Sequence, residues 1–109
     1  MGKRTQNGET PDSSRRGLPY VGMVYFVVDR FWPGTTESLA LEAMERLRQG
    51  CTQLTASGVA VRWLGGTYMP ADEATSCRFE GTAQAIRAVH EIAGQPFDRM
   101  IEMIEFDTD

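Results

Sequence analysis

The order of helix-like and strand-like segments is the feature that most constrains the fold of this chain. Apolar residues recur at helical spacing between residues 35 and 58 and again between residues 82 and 94. Strand-like segments cover residues 20–31, 59–69, 74–80 and 98–106. Strand, helix, strand, strand, helix, strand is the order of the ferredoxin-like split βαβ arrangement. We therefore predict an α+β, ferredoxin-like βαββαβ fold, a four-stranded antiparallel sheet with two helices on one face.

Both predicted helices have residues suited to begin and end them. Thr35 is placed to cap the first helix through its hydroxyl, and Gly58 follows its last turn. Thr82 is placed to cap the second helix, and Gly94 can adopt the left-handed conformation that ends it. The apolar stripe of the second helix comprises Ala85, Ile86, Val89, Ile92 and Ala93.

Alternation along the strands assigns side chains to the two faces of the sheet. Thr75, Cys77 and Phe79 should face the helices, and the pair Gly65-Gly66 predicts a bulge or a close backbone approach. The opposite face should then carry a mixed polar and aromatic set, which consists of Tyr25, Arg62, Tyr68, Arg78 and Glu80.

With 109 residues the chain is long enough for one domain. Residues 1–19 have almost no large apolar side chains, which predicts a flexible tail ahead of one domain over residues 20–109. The net charge is -4 and the basic residues are scattered, so we expect no nucleic-acid partner. The apolar run over residues 21–28 is far shorter than the about 20 residues that cross a bilayer, so we expect no membrane partner. Cys51 and Cys77 have no disulfide-type spacing, which favours reduced thiols in a cytoplasmic protein.

Four short strings carry a resemblance to a known family. They are FWPGT at residues 31–35, VRWLG at 61–65, CRFE at 77–80 and HEIAGQPFD at 90–98, the last being the most specific. Through them, residues 24–106 resemble a bacterial family of small ferredoxin-like proteins of mostly unknown function, one branch of which is described as nickel-binding. More distantly, the chain is similar to the dimeric α+β barrel superfamily.

The resemblance implies two different functions. The barrel superfamily includes cofactor-free monooxygenases, isomerases and cyclases that act on apolar substrates held between helices and sheet. The nickel-binding branch implies a metal site, but it has further histidines, whereas this chain has only His90. Only the position of His90 therefore carries over. In small proteins of this plan the bare sheet faces of two subunits commonly close on each other, so we expect a homodimer.

His90 is the leading candidate for chemistry because its unperturbed pKa is about 6.5. It follows Ile86 by four residues, at the edge of the buried stripe, and should look along the cleft between helix and sheet. It could act as a general acid or base, or as a metal ligand. The structural alternative is an imidazole hydrogen-bonded to backbone or a carboxylate, which holds the Gly94 turn. Cys77 could approach His90 as an activated nucleophile, or could simply be a small buried hydrophobe.

The open sheet face allows two interpretations. Arginine beside tyrosine can hold a carboxylate or an enolate, which makes Tyr25, Arg62, Tyr68 and Arg78 candidate substrate contacts. A dimer interface is enriched in the same residue types. A ligand cavity would also involve Trp63, Cys77 and methionine side chains.

Together these patterns predict a dimer that binds a small, largely apolar organic molecule. It could turn that molecule over without a cofactor, as a cyclase, isomerase or monooxygenase, with His90 as acid or base. One alternative is a protein that binds nickel or another metal through His90. A second is a dimeric interaction module without a ligand.

Overall fold

The computed structural model describes residues 24–104, and it has the predicted ferredoxin-like α+β architecture. The predicted tail over residues 1–19, residues 20–23 and residues 105–109 lie outside the described part. In chain order the elements are β1 (Val24–Phe31), α1 (Glu37–Ala56), β2 (Val61–Met69), a short 3₁₀ turn (Pro70–Asp72), β3 (Ala74–Gly81), α2 (Ala83–Ala93) and β4 (Arg99–Met103).

The four strands form one antiparallel sheet in the order β2-β3-β1-β4. β3 is therefore central, and it pairs with β1 through contacts such as Val28 with Cys77. Since paired residues point to the same side of a sheet, these pairs settle which side chains lie under the helices. Phe26, Val28 and Arg30 of β1 share that side with Thr75, Cys77 and Phe79 of β3.

The helix ends follow the capping chemistry of the sequence, with one correction. The Thr82 hydroxyl accepts the Ala85 N–H at 3.0 Å, and Gly94 ends α2 with φ of 67°. The prediction that Thr35 caps α1 is wrong, because the Thr36 hydroxyl accepts the Leu39 N–H at 3.2 Å. The Thr35 hydroxyl is instead buried, with no hydrogen-bond partner among the described residues.

The core lies between the helices and the sheet, and its centre is where α2 crosses β3. Phe79, Ile86 and Val89 are fully buried there. α1 packs close to α2 at Gly50, where a Cβ atom would lie 3.3 Å from Val89 Cγ1 and 3.4 Å from the Val89 carbonyl oxygen. Gly50 therefore allows the two helices to approach each other. The prediction that Ile92 belongs to the buried stripe of α2 is wrong, because this residue is 43% exposed.

A β-bulge in β2 confirms the expectation raised by the glycine pair. Trp63 pairs with Phe79 and Gly65 pairs with Arg78, so Leu64 is the extra residue. Gly65 has a φ of +146°, which L side chains rarely adopt. The extra residue reverses the alternation of every later position in the strand.

That reversal overturns one predicted orientation. Tyr68 pairs with Thr75 and therefore lies on the helix side, not on the open face. Its hydroxyl donates to the Thr35 carbonyl oxygen at 3.3 Å, next to the beginning of α1. None of the helices in residues 24–104 is long and apolar enough to span a membrane.

Candidate functional site

The sheet separates the predicted site residues into two groups on opposite faces. Tyr25, Arg62 and Arg78 lie on the open face, whereas Trp63, Tyr68, Cys77 and His90 lie on the helix side. The seven side chains therefore do not form a single site within one copy of the chain.

On the open face, an ion pair crosses from β2 to β3. Arg62 Nε and Nη2 lie 2.9 and 2.8 Å from Glu80 Oε1, and Tyr25 is paired with Glu80 from the other side. Arg78 lies over the bulge, since a Cβ on Gly65 would be 2.5 Å from Arg78 Nη2. The Arg62 side chain is committed to a carboxylate of its own chain, which reduces its availability to hold a ligand.

On the helix side, a small cavity lies between α1, α2 and the sheet. The cavity has a volume of about 20 Å³. Room of this size holds one or two water molecules, which need polar partners. The apolar part of the wall comprises Val28, Ala40, Ala43, Met44, Leu47, Pro96 and Phe97, and the polar part comprises Arg30, Thr75, Cys77, His90 and Gln95.

Exposure shows where this cavity reaches the surface. The wall residues from α1, β3 and α2 are buried, whereas Arg30, Gln95 and Phe97 are half-buried and Pro96 is exposed. The opening therefore lies between β1 and the loop that joins α2 to β4. Trp63 and Tyr68, both candidates for ligand contact, do not line this cavity.

His90 is held in the wall by one strong hydrogen bond and two aromatic rings. It is 5% exposed, and its Nδ1 lies 2.8 Å from the Ile86 carbonyl oxygen. Its ring packs edge-on to Phe97 at 4.8 Å and is tilted against Phe79 at 5.4 Å between centroids. The hydrogen bond to the backbone is the one expected if His90 has a structural role. The ring also lines the cavity.

The hydrogen bond fixes which nitrogen of His90 carries the proton. A carbonyl oxygen can only accept, so Nδ1 is the donor. Burial lowers the pKa of His90 from its ordinary value; the Ile86 carbonyl opposes that change and the nearby Arg30 cation adds to it. The neutral ring therefore has an unprotonated Nε2, for which no hydrogen-bond partner is found among the described residues.

The two thiols have the properties of core residues. Burial, with a smaller contribution from Cys77, raises the pKa of Cys51 to about 11. Burial also raises the pKa of Cys77, which the neighbouring Trp63 indole and Arg78 oppose. The Trp63 Nε1 atom is buried without meeting hydrogen-bond geometry to any described group. Because the thiolate is the nucleophile, these environments disfavour the activated-nucleophile hypothesis for Cys77.

The residues that the structure describes do not fit a nickel site. Within residues 24–104, no three side chains of His, Cys, Asp or Glu come together in a group that could hold a metal ion. A nickel or zinc site needs several such ligands at about 2 Å from the ion. The metal-binding alternative therefore has no ligand set in the described part of the chain.

Arg30 and Gln95 are cavity residues that the sequence did not predict. Arg30 Nη1 donates to Gln95 Oε1 at 2.8 Å, and both line the cavity beside His90. The sequence did indicate the orientation of Arg30, since Arg30 follows Phe26 and Val28 at a spacing of two residues and therefore shares their face.

Comparisons with family models, curated proteins and solved structures found no match to this chain.

We expect the stability of the protein to fall as the pH is lowered from about 7.5 to about 5.5, with His90 as one cause. The pKa of His90 is lower in the folded chain than its ordinary value of 6.5, so the unfolded chain binds the proton more readily. The His90 contribution is fully present above the unfolded pKa and is lost as the pH falls from there through the lower folded pKa. Urea unfolding across this range measures the effect. A His90→Gln variant should lose less stability over the same range, and equal losses would contradict the assignment.

Proposed function

We propose that this protein binds a small organic molecule in the cavity between its helices and sheet, with His90 as the group that accepts a proton. The observation that carries the proposal is the state of His90. Its Nδ1 proton is committed to the Ile86 carbonyl, which leaves Nε2 as a lone pair on a residue that lines the cavity. A buried neutral imidazole with one free nitrogen is a suitable general base.

The polar groups around His90 support proton transfer without a cofactor. Arg30 places a positive charge near the imidazole, where it can stabilise negative charge that develops on a substrate. Thr75 adds a hydroxyl to the same wall. Isomerisation and cyclisation by removal and return of a proton are the reactions best suited to this set of groups.

The cavity is small, so the proposed binding also depends on the flexibility of its wall. At about 20 Å³, the cavity is smaller than a typical ligand site. A substrate larger than a short-chain acid therefore enters only if a wall side chain moves. Met44 is the suitable one, because it lines the cavity and has an unbranched, flexible side chain.

The open sheet face supports the proposed homodimer. Val27 of β1 is paired with Ile101 of the edge strand β4, and Ile101 is 40% exposed. On its other side Val27 is paired with Arg78, and the ion pairs Arg62 with Glu80 and Arg99 with Asp29 lie on the same face. Apolar side chains mixed with arginine and tyrosine are typical of interfaces, and a second copy would cover them. A domain of this size also buries only a modest part of its surface by itself.

Labelled methionine methyl groups can locate a bound ligand directly. We expect at least one compound among cyclohexanone, phenol and 2-naphthol to shift the Met44 methyl resonance saturably, because Met44 forms the wall. Met69 and Met103, whose pairing places them on the open face, are internal controls. An Ala43→Leu variant should block the change by filling the cavity, whereas Leu41→Ala, at an exposed position of the same helix, should not.

The same sample tests the role of His90. Exchange of the α-protons of a bound cyclohexanone in D₂O should be faster with the wild-type protein than with His90→Gln. Compounds that shift only Met69 and Met103, or none of the three methyl groups, would contradict the proposed cavity. Exchange at an unchanged rate in His90→Gln would contradict the proposed base.

We expect light scattering after gel filtration to give the mass of two chains. Ile101→Glu should convert the dimer to a folded monomer, because it buries an unpaired charge in the proposed interface. Leu41→Glu changes a side chain that is 67% exposed on α1, and it should remain dimeric. A monomeric wild type, or a dimeric Ile101→Glu variant, would contradict the interface, with circular dichroism as the check on folding.

A further inference from the structure

We infer that Arg30 and Gln95 form a recognition point for a carboxylate group at the opening of the His90 cavity, so that the ligand is a small monocarboxylic acid. The inference rests on the cavity of the proposed function and adds the chemical class of the ligand.

Arg30 differs from most described arginines in its partners. Arg46, Arg48, Arg62 and Arg99 each form an ion pair with a carboxylate. Arg30 instead donates to the neutral Gln95 side chain at 2.8 Å and lies 3.5 Å from the centre of the Trp32 ring. Among the described residues no carboxylate forms an ion pair with it.

Asp98 acts on Arg30 through its charge, but no ion pair is found between them. One carboxylate oxygen of Asp98, Oδ2, accepts the Phe31 N–H at 2.6 Å. Burial lowers the pKa of Arg30, and the charge of Asp98 only opposes that change. A partly desolvated guanidinium with neutral partners has donors left for an anion.

The neutral partners also orient the guanidinium. A ring on one side and an amide oxygen on Nη1 fix the plane of the group. A fixed planar fork matches a carboxylate, which can accept two parallel hydrogen bonds. Gln95 additionally carries an amide N–H₂ group at the same place, although its Nε2 now donates to the Ala93 carbonyl at 3.3 Å.

His90 supplies the second observation. It is 5% exposed, and it has an unprotonated Nε2 without a partner among the described residues. It lies deeper in the same cavity than the half-buried Arg30. An acid anchored on Arg30 would therefore direct its carbon chain toward the only imidazole of the protein.

The cavity favours a short chain behind the carboxylate. Its inner wall is formed by apolar side chains, among them Val28, Ala43 and Phe97. The space of about 20 Å³ suits a methyl or ethyl group. Acetate and propionate are therefore the probes that match the described shape without movement of Met44.

The test is a titration of the full-length protein with sodium acetate, sodium propionate and the neutral isostere acetamide, at ionic strength kept constant with sodium chloride. Amide resonances of Gln95 and Phe97 report binding, and the single imidazole reports the pKa of His90. We expect both acids, but not acetamide, to bind saturably. We also expect them to raise the pKa of His90, because the anion offsets the charge of Arg30.

Variants assign the effect to Arg30. Arg30→Gln should weaken acetate binding by about tenfold or more, because a charge-assisted pair is lost. Arg87→Gln, at an exposed position on α2, should bind acetate like the wild type. Gln95→Glu is a second variant that does not remove Arg30. Its own carboxylate should occupy the guanidinium and block acetate, so the inference remains testable if Arg30→Gln does not fold.

Different results would contradict the carboxylate site and the proposed base. Equal binding of acetate and acetamide, equal competition by chloride, or wild-type affinity in both Arg30→Gln and Gln95→Glu would overturn the carboxylate site. Ketone or phenol binding at Met44 without acetate binding would overturn this inference alone. Acetate binding at Arg30 without proton exchange at His90 would overturn the proposed base and leave the carboxylate site standing.

Discussion

The packing of α2 on β3 is the constraint on which the other features of this domain depend. Phe79 of β3 and Ile86 and Val89 of α2 are all fully buried, and each such side chain contributes about 1.5–3 kcal/mol when it leaves water. Burial of those positions fixes the rotation of α2 about its axis. His90 follows Val89 directly and lies one turn after Ile86, so the same packing brings the imidazole into the core and within 2.8 Å of the Ile86 carbonyl oxygen.

Local sequence signals predicted the architecture because each element depends mainly on nearby residues. Helical spacing, the Thr82 cap and the Gly94 ending specify α2, and the structure has all three. Where two neighbouring residues offer the same chemistry, the sequence does not distinguish them. Thr35 and Thr36 both carry a hydroxyl, and only the described backbone shows that Thr36 caps α1.

The errors in side-chain orientation have a single physical origin in β2. Alternation predicts orientation only while pairing remains in register, and the bulge after Trp63 adds one unpaired residue. Strict alternation therefore predicts the wrong face for Tyr68, although the glycine pair itself indicates a possible bulge. The contact of Arg30 with Gln95 could not be predicted, for another reason. Its partner Gln95 is distant in sequence and belongs to a loop whose path depends on tertiary packing.

Nitrogen-15 NMR of the imidazole tests the central claim most directly, because the chain contains one histidine and its side-chain signals need no assignment. A long-range proton–nitrogen correlation spectrum at a pH of about 7.5 distinguishes the two neutral tautomers and the cation. The account predicts a protonated Nδ1 and an unprotonated Nε2. A proton on Nε2 alone, or protons on both nitrogens, would contradict it, because His90 would then have no lone pair to offer to the cavity.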